Sequence, residues 1–212
     1  MSLPVESMQH HSYHKNIPLE GVMNPTWKSF GLAASSLCFL LVLSCTQTIV
    51  PLSYQPVAVP VSDCPQQLRV APFEDARGDT LGIGLTARGT PFYPETFIEE
   101  WFTSSLRQQL RTVGCAVQPG TEKSSPDELL VRGTIRTASL RQHSASEYTV
   151  TLAMNLILEK QNAKIYEENF SVKLQKWVLP KAENPTLFLQ EAMQELLRTA
   201  VPKLLDAAKQ SS

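Results

Sequence analysis

From Tyr148 to Leu158 every second residue is large and apolar: Tyr148, Val150, Leu152, Met154, Leu156 and Leu158. Side chains alternate between the two faces of a strand, so this run predicts a β-strand with one covered face. A second run, Ala163 to Val178, places Tyr166, Phe170, Val172 and Leu174 on one face and Lys173 and Gln175 on the other. Gln161-Asn162 between them reads as a tight turn. Glu128 to Leu140 alternates less regularly, with Leu129, Val131 and Ile135 on one side. Three such strands make an antiparallel meander. The opposite face, with Thr149, Thr151, Asn155, Glu167 and Lys173, is expected to be solvated.

Two helices are expected to cover the apolar face. Thr96 and Glu99 form a capping box, and the helix they open runs to about Val113. Ile98, Trp101, Phe102, Leu106, Leu110 and Val113 recur at helical spacing, and Gly114 stands in the position that ends it. The second helix begins at Asn184-Pro185, an N-cap followed by proline at the first helical position. Pro202 lies inside it and is expected to kink or divide it. Leu68 to Phe73 and Cys115 to Gln118 read as short strands. The fold expected is α+β: a mixed, mainly antiparallel sheet in the order β-α-β-β-β-β-α, with both helices on one face.

Upstream, Phe30 to Cys45 is an uncharged, mostly apolar run preceded by Lys28. It is shorter than the roughly 20 residues of a spanning helix and reads as an export signal. Val42-Leu43-Ser44-Cys45 resembles the lipobox of bacterial lipoproteins. That resemblance implies cleavage before Cys45 and acyl chains on it; two or more chains anchor stably where one does not. Thr46 rather than Asp after the cysteine implies the outer membrane, facing the periplasm. Met23 opens a signal of ordinary proportions, so residues 1–22, with His10, His11 and His14, read as an upstream extension rather than a metal site. The division is therefore 1–22 extension, 23–44 signal peptide, 45–63 tether and 64–212 one periplasmic domain. The tether, punctuated by Pro51, Pro56 and Pro60, is expected to space the domain from the bilayer.

The formal net charge is −1, and removing residues 1–44 takes away two cations and two anions, leaving it unchanged. No basic stripe points to nucleic acid, and no polybasic segment to anionic lipid. With Cys38 in the signal and Cys45 in the lipobox, Cys64 and Cys115 remain as a pair in an exported chain. They are a candidate disulfide, since the strands they precede can start side by side if parallel; the alternative is two separately buried thiols.

Chemistry-bearing constellations are sparse. His143 is the one histidine downstream of the signal, in a polar turn, and no catalytic triad or metal-ligand spacing assembles around it. Gly82-Ile83-Gly84 lacks the helix and third glycine of a dinucleotide loop. No cofactor is expected, and an enzyme ranks behind two non-catalytic readings. The cluster above background is Asp75 and Arg77, where a charge-assisted bond can fix the glycine-rich loop or present a recognition surface. LRVAPFEDARGDTLGIG, with LRTVGCAV at the end of the first helix, resembles the YajG-type lipoproteins through Asp75-x-Arg77, Ile83-Gly84 and Gly114. The similarity runs from Leu68 to about Leu205 and departs between Gly84 and Pro94 and at the cysteine pair. It implies an outer-membrane lipoprotein and carries no catalytic residues. Two functions follow as expectations: an interaction or transport-accessory module binding another envelope protein, or a carrier of a small apolar or glycan ligand between sheet and helices. A filled core and an open strand edge favour the first; a roomy pocket favours the second.

Overall fold

The computed structural model describes residues 47–60, 64, 67–120, 128–178 and 184–211. The signal run, the lipobox with Cys45 and the histidine-bearing extension lie outside the described residues. In chain order the elements are β1 (Thr48–Val50), β2 (Leu68–Val70), β3 (Glu74–Asp75), β4 (Gly84–Leu85), β5 (Pro91–Pro94), α1 (Ile98–Thr112), β6 (Val117–Pro119), β7 (Leu129–Gln142), β8 (Glu147–Lys160), β9 (Ala163–Trp177) and α2 (Pro185–Gln210). This is an α+β fold with one large mixed sheet, mostly antiparallel by length.

Strand β7 organises the sheet. Along one side it pairs antiparallel with β8 over its whole length, and β8 pairs antiparallel with β9. Gln161 and Asn162 join β8 to β9 with φ of 52° and 66°, the left-handed pair that a two-residue hairpin demands. Along its other side β7 takes three short parallel partners in turn: β2 at Leu129, β3 at Thr134 and β4 at Leu140. Outside these lie β6 beside β2, and β5 then β1 beyond β4.

The expected order thus gains four strands before α1. Two or three residues are too short to display a period of two, which is why β1, β3 and β4 are invisible to sequence patterning. They form because a fourteen-residue strand such as β7 leaves a row of N–H and C=O groups on each side that must find partners once buried.

The core lies between sheet and helices. Tyr148, Val150, Leu152, Met154, Leu156 and Leu158 of β8 are all buried, as the alternation predicts. Ile98, Trp101, Phe102, Leu106 and Leu110 of α1 and Leu189, Met193, Leu197 and Leu204 of α2 close over them. Each such side chain contributes about 2 kcal/mol of burial. The helices touch each other, α2 lying over β8 and β9.

Local signals fared unevenly. Gly114, with φ of +89°, ends α1; the N–H of Cys115 donates to the Leu110 carbonyl at 3.0 Å. The capping box does not form: Phe97 occupies the N-cap without a side-chain bond. At α2 the Asn184 side chain accepts from the Thr186 N–H at 3.1 Å, and Pro202 does not divide the helix. Asn155 on the open face is buried rather than solvated, because its amide donates to Glu167 and Asn169 on the next strand.

The expected tether is also revised. Residues 47–60 belong to the same compact unit as the rest of the domain, which therefore begins near Gln47 rather than Cys64. Val50 is fully buried beside β5, and Leu52 and Tyr54 pack on the core. The strap that follows crosses both helices. The indole of Trp101 donates to Ser53, Gln194 donates to Gln55, and Gln109 both donates to and accepts from Val57. Its prolines keep it extended, and the helix amides satisfy its backbone.

Candidate functional site

Asp75 and Arg77 meet in a bidentate pair. The Arg77 Nε donates to Asp75 Oδ1 at 2.9 Å and one terminal nitrogen to Oδ2 at 2.7 Å. The same guanidinium donates to the carbonyls of Thr80, Gly82 and Ala138. With side-chain exposures of 6% and 11%, both groups are largely removed from water. The Arg77 hydrogen bond holds the Asp75 carboxyl below the usual carboxylate range. Every strong donor direction of Arg77 is turned inward, so the pair fixes the loop between β3 and β4 onto β7. Of the two roles open in the sequence, this geometry performs loop fixing.

Cys64 and Cys115 form a disulfide, their Cα atoms 5.2 Å apart. The parallel register that places Leu68 beside Val117 brings the two cysteines together at the starting ends of β2 and β6. Arg69 of β2 then holds Glu128, at the entrance to β7, at 2.8 Å.

The feature that sequence reasoning left unassigned is the outer side of β9. This fifteen-residue strand pairs with β8 and with no further strand among the described residues. The N–H of Val178 donates to the Ser146 carbonyl at 2.8 Å, which marks the even-numbered residues as those bonded to β8. By alternation Glu167, Asn169, Ser171, Lys173 and Gln175 turn their backbone N–H and C=O groups outward. A polar groove of about 440 Å³ runs beside them, lined by Glu168, Phe170 and Lys173 of β9 and by Glu195, Leu196 and Lys203 of α2. Lys203 pairs with Glu168 and stands 5.6 Å from the centre of the Phe170 ring. The Lys203 bond holds the Glu168 carboxyl below its ordinary value. Burial, followed by its bond to Glu168, pushes the Tyr166 hydroxyl up. An open edge cannot be read from β9 alone, because edge and inner strands share the same alternation.

Further clefts open beside α1. Pro72, Phe97, Thr103 and Arg107 line one of about 320 Å³; Leu81, Pro94, Phe97 and Glu100 line one of about 350 Å³. Arg107 donates to the Val70 carbonyl at 2.7 Å, and burial lowers its pKa. His143 sits in an exposed turn with its ring 3.0 Å from the Thr149 hydroxyl. Among the described residues no group of three or more His, Cys, Asp or Glu side chains is placed to hold a metal ion. No described helix is long and apolar enough to cross a membrane.

No family model matches the sequence, and no curated protein matches it. Solved structures do. A DUF330 protein from Xanthomonas campestris superposes with a TM-score of 0.61 at 16% identity, covering 77% of this chain and 98% of that one. The neighbours include bacterial lipoproteins: a minor lipoprotein from Acinetobacter baumannii (TM-score 0.40, 13% identity, 68% and 94% covered) and one from Neisseria meningitidis (0.29, 9%, 65% and 99%). The first likeness shows a shared fold; the other two are weaker and carry no further weight.

Proposed function

We propose that this chain is a non-catalytic, lipid-anchored protein of the cell envelope that serves as an interaction or assembly module. In this reading the acyl chains sit on Cys45, the domain faces the periplasm from the outer membrane, and the YajG-type resemblance reflects kinship. The observation that carries it is the open edge of β9. A strand of fifteen residues whose outward amides and carbonyls pair with no further strand among the described residues is a ready template for a strand of another envelope protein. The main-chain bonds supply affinity, and the groove against α2 supplies selection through side chains. The alternative, a small apolar or glycan ligand held between sheet and helices, has less behind it: the facing side chains of β8, α1 and α2 are buried against one another in one core cluster.

The test is in-cell photo-crosslinking from position 173, with and without Ser171→Pro. Proline at 171 removes an outward donor and spares the ladder to β8. The expected result is a discrete adduct in the parent chain that disappears in the variant while the thermal midpoint is kept. An adduct that survives the substitution, or no adduct from any outward β9 position, overturns the proposal.

A further inference from the structure

One row of side chains crosses the open face of the sheet at the end where β7 finishes. Arg141 of β7 is registered with Leu85 of β4, and Leu85 with Pro91 of β5. Tyr93 shares that face of β5 and is registered with Ile49 of β1. On the other side Arg141 stands beside Thr149 of β8, and Thr149 beside Gln175 of β9, two residues from Trp177. Their neighbours within each strand, Val50, Phe92, Leu140 and Val150, are buried in the core, so alternation turns the row away from the helices. Ile49 is 60% exposed, Leu85 44% and Trp177 70%. Six strands at about 4.8 Å spacing give the row a width of about 24 Å. Arg88 stands in the turn between β4 and β5; among the described residues neither it nor Arg141 is in an ion pair. Glu147, which accepts from Gln175, is the acid at the β8 end.

We infer that this row is a membrane-seating surface, whose occupant is the anionic bilayer to which the chain is anchored; the inference rests on the lipid-anchor reading above. Isolated apolar side chains on a surface need no explanation, but these stand in register across the sheet. Tryptophan, tyrosine, leucine, isoleucine and unpaired arginine are the residues a bilayer interface accepts, the rings and aliphatic groups entering the headgroup layer and the cations meeting lipid phosphates. The far end of the same face is different: its charges are matched, Glu159 with Arg132 and Glu167 with Lys164, and Asn155 and Asn169 stand among them.

Chain length selects the occupant. Three residues separate Cys45 from Ile49, and the four Cα-to-Cα steps of an extended chain span at most about 14 Å. The segment expected to act as a spacer is folded into the domain from residue 47 onward, first as β1 beside β5 and then as the strap over the helices. Acyl chains on Cys45 therefore enter the bilayer beside Ile49, at one end of the row. A lipid anchor on a short leash and a row of interfacial side chains then hold one orientation. The start of β9 points away from the membrane, where its edge is open to partners.

The experiment uses the lipidated chain purified in detergent and reconstituted into vesicles of phosphatidylethanolamine and phosphatidylglycerol, with and without brominated acyl chains. Of the three tryptophans, Trp27 leaves with the signal in this reading and Trp101 is buried, so quenching reports on Trp177. The expected result is loss of about half of the emission in brominated vesicles, abolished by Trp177→Phe, because interfacial tryptophan lies within reach of the bromines. Flotation with the vesicles without quenching overturns the seating surface and leaves the lipid anchor standing. A chain that neither incorporates labelled fatty acid nor floats overturns both.

Discussion

Arg77 shows how a single side chain decides a local fold. Its guanidinium serves Asp75 and three carbonyls at once, so truncation leaves a shielded carboxylate and several acceptors without donors. Arg77→Ala is expected to cost about 3 kcal/mol, read from denaturant midpoints at neutral pH. The pH dependence has a definite sign. The folded Asp75 carboxyl titrates below its ordinary value, so the contribution of the pair is complete above about pH 4 and fades as pH falls through the lowered folded value. In Asp75→Asn that acid-side loss of stability should be smaller than in the parent chain; equal losses in the two would refute the assignment. The spacing of the two residues announced this pair. What it did not announce was that Gly82 and Ala138 would take up the remaining donors, since Ala138 is distant in sequence. Gly84 belongs to the same locality: a Cβ there would stand 1.8 Å from the Leu140 carbonyl oxygen, which closes the position to any other residue.

Among the elements, the strap over the helices departs most from its sequence appearance. Residues 51–60 read as linker because prolines interrupt every period, and a linker and a docked strap share that composition. Gln109 discriminates between them. Fully buried in α1, its side chain donates to Val57 at 2.8 Å and accepts from the Val57 N–H and the Tyr54 hydroxyl. Burial also pushes the Tyr54 phenol up, in keeping with a docked ring. Gln109→Leu is expected to cost about 2 kcal/mol by leaving these groups unsatisfied. Hydrogen exchange should then rise at residues 52–58 while β8 stays protected; unchanged exchange there would count against the docked strap. A glutamine at a helical core position was the one available sign, and α1 carries Gln108 beside it on the exposed side with nothing in sequence to separate the two.

For the whole molecule, the disulfide ties β2 to β6, the strand beside it, across a long stretch of intervening chain. Its 51-residue separation predicts about 4 kcal/mol of stabilisation in the chain-entropy account. Cys64→Ser should lower the thermal midpoint by roughly 10 °C for a domain of this size, measured against the oxidised parent chain with its bridge intact. A shift near zero would mean that the strands find their register without the bridge. The pairing was legible as a possibility because a βαβ crossover makes β2 and β6 parallel; only the register of Leu68 with Val117 turned it into a bond.

Alternation in β8 and β9, helical spacing in α1 and α2, and the turns at Gln161, Gly114 and Asn184 are local properties, and the amino-acid sequence determined them alone. Hydrophobic period and backbone stereochemistry act within a few residues, so they survive without knowledge of the rest of the chain. Partnership is not local. Which strand ends at an edge, which short segments complete β7, where the strap lies and which exposed side chains share a row depend on contacts between residues far apart in sequence, and the tertiary structure decided them. The open edge of β9 and the row from Ile49 to Trp177 belong to that second group, which is why the functional proposals rest on the fold rather than on any motif.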